Sequence, residues 1–149
     1  NSKRYSRVIF TGTSAGGYPS IRFAAYFNQI ALVGNPQLYL ENYYDRLKKI
    51  EKWLQLHNDK LLYSDRDIER HLLIHKPKKI YLYNNIKDIH HYQRHVLPFV
   101  EFINQNEMID LLQLHLFDME KDLVPPHNIT YPHGSSDPRN LIKALLSLV

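Results

Sequence analysis

Short apolar runs alternate along this chain with longer stretches in which apolar residues recur every third or fourth position. The first run, "RVIFTG" at 7–12, reads as a short strand ended by glycine. A helix is predicted over 16–27, with Pro19 in its first turn, where N–H groups lack partners in any case. Ile21, Ala24, Ala25 and Asn28 fall three or four apart, with small residues where a helix must approach a sheet closely. "QIALVGNPQ", at 29–37, is a second buried strand running into a Gly-Asn-Pro loop. An amphipathic helix follows at 41–56, with Leu47, Ile50 and Leu54 sharing a face with Tyr43 and flanked by Trp53. Another helix occupies 64–77, capped by Ser64 or Asp65 and stopped by Pro77.

The third strand is predicted at 79–84 and a fourth at 109–117. Between them "HHYQRHVLPFVEFINQN" is helical, bent or restarted at Pro98. A loop carrying Pro125, Pro126 and Pro132 leads to a last helix, which starts at Asp137-Pro138 and runs to 148. The order β-α-β-α-α-β-α-β-α implies an α/β fold: a mostly parallel sheet of four strands with helices on both faces. No repeat, low-complexity segment or linker divides the chain, so residues 1–149 are expected to form one domain.

Composition narrows the function classes. A length of 149 residues suits one domain with a real core, and 44% hydrophobic with 23% charged residues is ordinary for a globular protein. There is no cysteine, which removes disulfides and thiolate chemistry and fits a reducing, cytoplasmic setting. No apolar run has the length of a membrane helix, and the first ten residues lack the apolar segment of a signal peptide. The net charge of +4 is spread over solvated faces, without the basic stripe and interleaved aromatics of a nucleic-acid binder.

The chemistry-bearing signal is "GTSAG" at 12–16, a G-x-S-x-G pattern between a strand and a helix. A serine hydroxyl is a poor nucleophile until a base takes its proton. A tight strand-to-helix turn exposes that hydroxyl and aims the helix N-terminus at the oxyanion that develops. Ser14 is then the candidate nucleophile and the Ala15 N–H an oxyanion donor. The competing reading is a glycine-rich turn that only redirects the chain or binds phosphate. A Walker A loop is excluded, because the Gly-Lys-Ser/Thr it requires is absent.

This turn resembles the nucleophile elbow of α/β hydrolases, and the order of that fold implies an acid just past a later strand and a histidine after the last one. Asp88, four residues beyond the third strand, takes the first position; it can equally be the N-cap of the next helix. Asp110, Asp118 and Asp122 compete with it. His133, in "YPHGSSDP", takes the second position, with His127 as its alternative. His71 and His75, like His91 and His95, are four apart and can share a helix face. No H-E-x-x-H and no completing carboxylate supports a metal, so none is expected. His90, His91 and His95 are expected at the rim of the site or on the surface.

This ordered set resembles the C-terminal half of the α/β-hydrolase fold, from the nucleophile elbow onward, over nearly the whole chain. "GTSAGGYPSIRFAAYF" followed by "NPQ" also resembles hydrolase-like domains of bacterial proteins associated with surface-polysaccharide synthesis. The resemblance implies a Ser14–Asp88–His133 triad performing acyl transfer on a small-molecule or glycan ester, as an esterase or an O-acyltransferase, with no cofactor. Residues 38–76 stand where lids are inserted in that fold. Tyr18, Tyr39 and Tyr43, with Tyr44 and Trp53, are candidates to line a substrate pocket, or else pack helices onto the core. In that fold several strands precede the elbow, so the chain is expected to be a piece of a longer protein. Its first strand would be an open edge that pairs with the remainder or with a second copy. The alternative function is a non-catalytic scaffold that binds a glycan or a protein partner.

Overall fold

Short, largely apolar runs form four strands of a single sheet among the described residues, and all four run the same way. The computed structural model describes residues 7–39, 42 and 68–132. Strand β1 is Ile9–Thr13, β2 Ile30–Gly34, β3 Lys79–Asn85 and β4 Leu112–Phe117, paired side by side in chain order. Ile9 stands opposite Ile30, Ile30 opposite Lys79, and Ile80 opposite Leu112. The described helices are α1 (Gly17–Tyr26), α2 (Ile68–Ile74), α3 (Ile89–His91) and α4 (Leu97–Gln105). The protein is thus an α/β fold on an all-parallel sheet.

Alternation along the strands sorts the core. Ala31, Val33, Ile80, Leu82 and Leu112 share one face. Against them pack Ile21, Ala24 and Ala25 of α1, Ile68 and Leu72 of α2, and Phe99, Phe102 and Ile103 of α4. Crossovers of one hand between strands in sequential order deliver successive helices to the same face. Each fully buried Leu or Phe there contributes about 2 kcal/mol. The opposite face carries Leu32 and Tyr83, covered by Tyr131 from the segment after β4. The helices predicted at 41–56 and 137–148 lie outside the described residues.

Two local expectations are corrected, at Asn28 and at Ile109–Leu111. Asn28 does not join the buried face of α1. It is exposed, with φ of 50°, and ends the helix: its N–H bonds the Ala25 carbonyl at 3.1 Å while Gln29 N–H reaches the Ala24 carbonyl at 2.7 Å. An asparagine tolerates that left-handed position better than most residues. The fourth predicted helix restarts at Leu97 with Pro98 in its first turn, as expected, after a π-helical turn at Tyr92–Val96. Proline has no N–H for the carbonyl four residues back, Arg94, and that carbonyl accepts from Asn42 Nδ2 at 2.8 Å instead. Residues Ile109–Leu111 form a 3₁₀ turn rather than the start of β4. Among the described residues, no helix is long and apolar enough to cross a membrane.

Candidate functional site

Because the strands are parallel, all their C-terminal ends meet at one edge, where ligands of open α/β sheets bind. Register sets Thr13 opposite Gly34, Gly34 opposite Tyr83, and Tyr83 opposite His115. The first loop of that edge is the serine turn. β1 ends at Thr13, a 3₁₀ turn spans Ser14–Gly16, and α1 follows at once. Ser14 is half-buried and has φ of 50°, a left-handed conformation that costs a non-glycine residue about 1–3 kcal/mol. Ala15 beside it is exposed.

Neighbouring backbone holds the strained turn. Ser14 C=O accepts from Gln37 N–H at 2.9 Å, tying the turn to the loop after β2. A side chain at Gly12 would strike the Gly16 carbonyl and come within 2.6 Å of Ser20 Oγ. Ser20 Oγ in turn donates to the Gly16 carbonyl at 2.8 Å. Gly17 lies bare against Pro36 in the same way.

Asp88 follows β3 and is buried, 7% exposed. Its Oδ1 accepts the His91 N–H at 3.3 Å, and its Oδ2 lies 2.6 Å from His91 Nδ1. It therefore caps α3, the structural role its position also allowed. No hydrogen bond or ion pair joins Asp88 to Ser14 among the described residues. β1 and β3 are two strand spacings apart, roughly 10 Å. Asp118 and Asp122 are exposed, and Asp118 faces Lys87 at 3.6 Å. Asp110 is exposed at the far end of β4, and its backbone carbonyl takes the Lys79 ammonium at 2.8 Å. His127 is exposed on a short turn, Pro126–Asn128. His133, Tyr43, Tyr44 and Trp53 lie outside the described residues.

The other aromatic candidates separate. Tyr18, just past the turn, carries the Arg22 guanidinium 5.8 Å from its ring centre. With Phe23, Tyr26, Phe27 and His71 these two line a groove of about 310 Å³. Tyr39 instead donates its hydroxyl to the Glu69 carboxylate at 2.7 Å and lays its ring along His95.

The histidines after β3 are a correction: His91 and His95 are buried, not at a rim. His95 Nδ1 accepts two backbone N–H groups, Leu38 at 3.1 Å and Tyr39 at 3.2 Å. The neutral ring must then carry its proton on Nε2. Burial, with His91 and His90 adding to it, lowers the His95 pKa to about 3. Burial first, then His91, also lowers that of His90. The three rings lie 5.4–5.8 Å apart, centre to centre. Among the described residues, no three His, Asp or Glu side chains converge so as to hold a metal ion.

Two residues at this edge were given no role by the sequence reading, Asn35 and Asn85, both wholly buried. Asn35 Oδ1 accepts the Asn85 N–H at 2.8 Å, and Asn35 Nδ2 faces the carbonyls of His127 and Ile129 at 3.2 Å and of Pro126 at 3.4 Å. Asn85 Nδ2 donates to the Met119 carbonyl at 2.8 Å, and its Oδ1 accepts from Met119 N–H and Lys87 N–H at 3.2 Å. A trace of this was legible in "GNP" and "NN" at strand ends: asparagine offers donor and acceptor together and tolerates positive φ. Asn35 has φ of 40°. Compared with protein-family models, curated proteins and solved structures, the chain matches none.

Proposed function

We propose that this chain carries the nucleophile of a serine-dependent acyl-transfer enzyme acting on a small-molecule or glycan ester. The observation that supports it is Ser14 held at φ of 50° between a parallel strand and a helix, strain kept in place by Gly12, Gln37 and Pro36. In this reading Ser14 Oγ attacks the ester carbonyl as His133 takes its proton. The Ala15 N–H donates to the oxyanion, and His133 returns the proton to the leaving alcohol. Water as the second acceptor gives an esterase, and a sugar hydroxyl an O-acyltransferase. No cofactor is needed.

Asp88 orients the imidazole. An ionised carboxylate accepts about four hydrogen bonds. Asp88 uses one for the His91 N–H and one toward His91 Nδ1, which leaves acceptor capacity for His133. The groove at Tyr18 takes the apolar part of the substrate. The absence of cysteine fits a cytoplasmic setting.

A second reading has its own observation. Asp88 is already engaged by His91, as it would be in a scaffold that binds a glycan or protein without turnover. Fluorophosphonate labelling mapped by mass spectrometry separates the two. Stoichiometric label on Ser14, lost in Ser14→Ala and weakened in His133→Ala, supports the enzyme. A folded chain that takes no label removes it.

A further inference from the structure

We infer that His95 is a positioning residue for Ser14: acting through the loop after β2, it keeps the serine turn in its left-handed conformation. This rests on the reading of Ser14 as the nucleophile. The connection runs through three consecutive backbone N–H groups. Gln37 N–H donates to the Ser14 carbonyl at 2.9 Å, while Leu38 N–H and Tyr39 N–H both donate to His95 Nδ1, at 3.1 and 3.2 Å. One imidazole nitrogen therefore sets the two peptide planes that follow the plane holding Ser14.

The start of the loop is fixed separately. Asn35 N–H donates to the Tyr83 carbonyl at 2.9 Å, and Pro36, which has no N–H, lies against the bare Gly17. Beyond Pro36 two adjacent donors enter the interior, where Leu38 and His95 are both wholly buried. A buried N–H needs an acceptor, and here a side chain 57 residues from Leu38 provides it. Tyr39 adds its ring, stacked on His95 with centres 6.4 Å apart, and anchors its hydroxyl on Glu69.

His95 accepts both donors as a neutral ring with its proton on Nε2. Burial, which lowers its pKa to about 3, keeps it in that form. It stands in the π-helical turn Tyr92–Val96, and such turns are frequent at functional sites. At the other end of the connection Ser14 has φ of 50°, a strain that persists only where the surroundings over-determine it. The Gln37 N–H is one such restraint, and His95 holds it in place.

Nuclear magnetic resonance of the whole chain gives two readouts that need no activity. One is hydrogen exchange of the Gln37 N–H. The other is the amide-to-Hα coupling of Ser14, which reads φ. His95→Phe keeps a ring beside Tyr39 and removes the acceptor. His95→Asn restores one, since its oxygen is attached to Cγ as Nδ1 was. The Leu82 N–H, in the interior strand β3, monitors overall stability.

In His95→Phe, Gln37 exchange is expected to rise roughly 10- to 100-fold beyond any change at Leu82, and the Ser14 coupling to shift. Fluorophosphonate labelling of Ser14 is expected to slow roughly 100-fold, the scale of an ångström-sized displacement. His95→Asn is expected to bring all three back toward wild type. Should His95→Phe not fold, His95→Leu, smaller and equally without an acceptor, decides. Equal acceleration at Gln37 and Leu82 with an unchanged Ser14 coupling means that His95 only stabilises the fold, and overturns the inference. So does an asparagine variant that folds and restores nothing. A wild-type chain that labels while neither resonance readout responds keeps the enzyme and removes the role of His95. Readouts that respond in a chain that takes no label keep His95 as the residue positioning the turn and remove the enzyme.

Discussion

Asp88 and His91 form a buried pair at the head of α3: Oδ2 lies 2.6 Å from the imidazole Nδ1, and Oδ1 accepts the His91 N–H. One carboxylate thus serves as helix cap and imidazole partner together. Asp88→Ala removes both and leaves a buried N–H without its acceptor and a buried imidazole without its neighbouring carboxylate. The expected loss is about 2–4 kcal/mol in urea unfolding, a cap plus an unpaired buried group. A loss below 0.5 kcal/mol, on the order of a surface substitution, would show that the pair does not form.

The two glycines of the serine turn are not equivalent. Gly12→Ala drives a methyl group into the Gly16 backbone and Ser20 Oγ, with an expected cost of about 1–3 kcal/mol. Gly16 has open space around its Cβ position and φ of −70°. Gly16→Ala is expected to be neutral or to stabilise by about 0.4–1 kcal/mol, through a less flexible unfolded chain. Thermal unfolding of both variants checks the contrast, and equal losses would refute it.

Ser14→Gly is expected to stabilise the fold while removing the nucleophile. Glycine adopts φ of 50° without steric cost, relieving about 1–3 kcal/mol of strain, against about 0.5–1 kcal/mol of added unfolded-state entropy. Ser14→Ala removes the hydroxyl and keeps the strain. A higher midpoint for the glycine variant than for the alanine variant is the measurement; the reverse order would mean that the turn is not strained.

Stability is expected to fall with pH because of His95. Its pKa is lowered to about 3 in the fold, mainly by burial, and rises to about 6.5 when unfolded. The unfolded chain therefore binds the extra proton between those values. Stability from this group is complete above pH 6.5 and is lost as pH falls toward 3, by up to about 1.4 kcal/mol per pH unit. His90 and His115, also lowered by burial, act with the same sign. Urea unfolding at pH 7, 6 and 5 gives the slope. His95→Gln, which keeps an acceptor for Leu38 and Tyr39 but does not titrate, is expected to flatten it.

The periodicity of the chain determined where the strands fall and that they run parallel; their side-by-side order came only with the fold. Alternation of short β-branched runs with helical stretches leaves few other arrangements. It also determined the serine turn, since Gly12, Ser14 and Gly16 act within five residues of one another. Helix ends were harder to read, because Asn28 has the spacing of a core residue and the conformation of a cap.

Tertiary structure alone decided what stands around the turn. Asn35 and Asn85 are fifty positions apart in sequence, and both bond to carbonyls more than thirty residues further on. No local pattern records such a contact. His91 and His95 have the spacing of a surface pair, yet the loop after β2 closes over His95 and takes its Nδ1 for two backbone N–H groups. Counting from the strand put Asp88 just past β3, but that it caps α3 and meets His91 depended on how α3 turned. Periodicity reports which face of an element is apolar. Which polar groups then meet at the sheet edge depends on where the loops cross, and only the packed chain determines that.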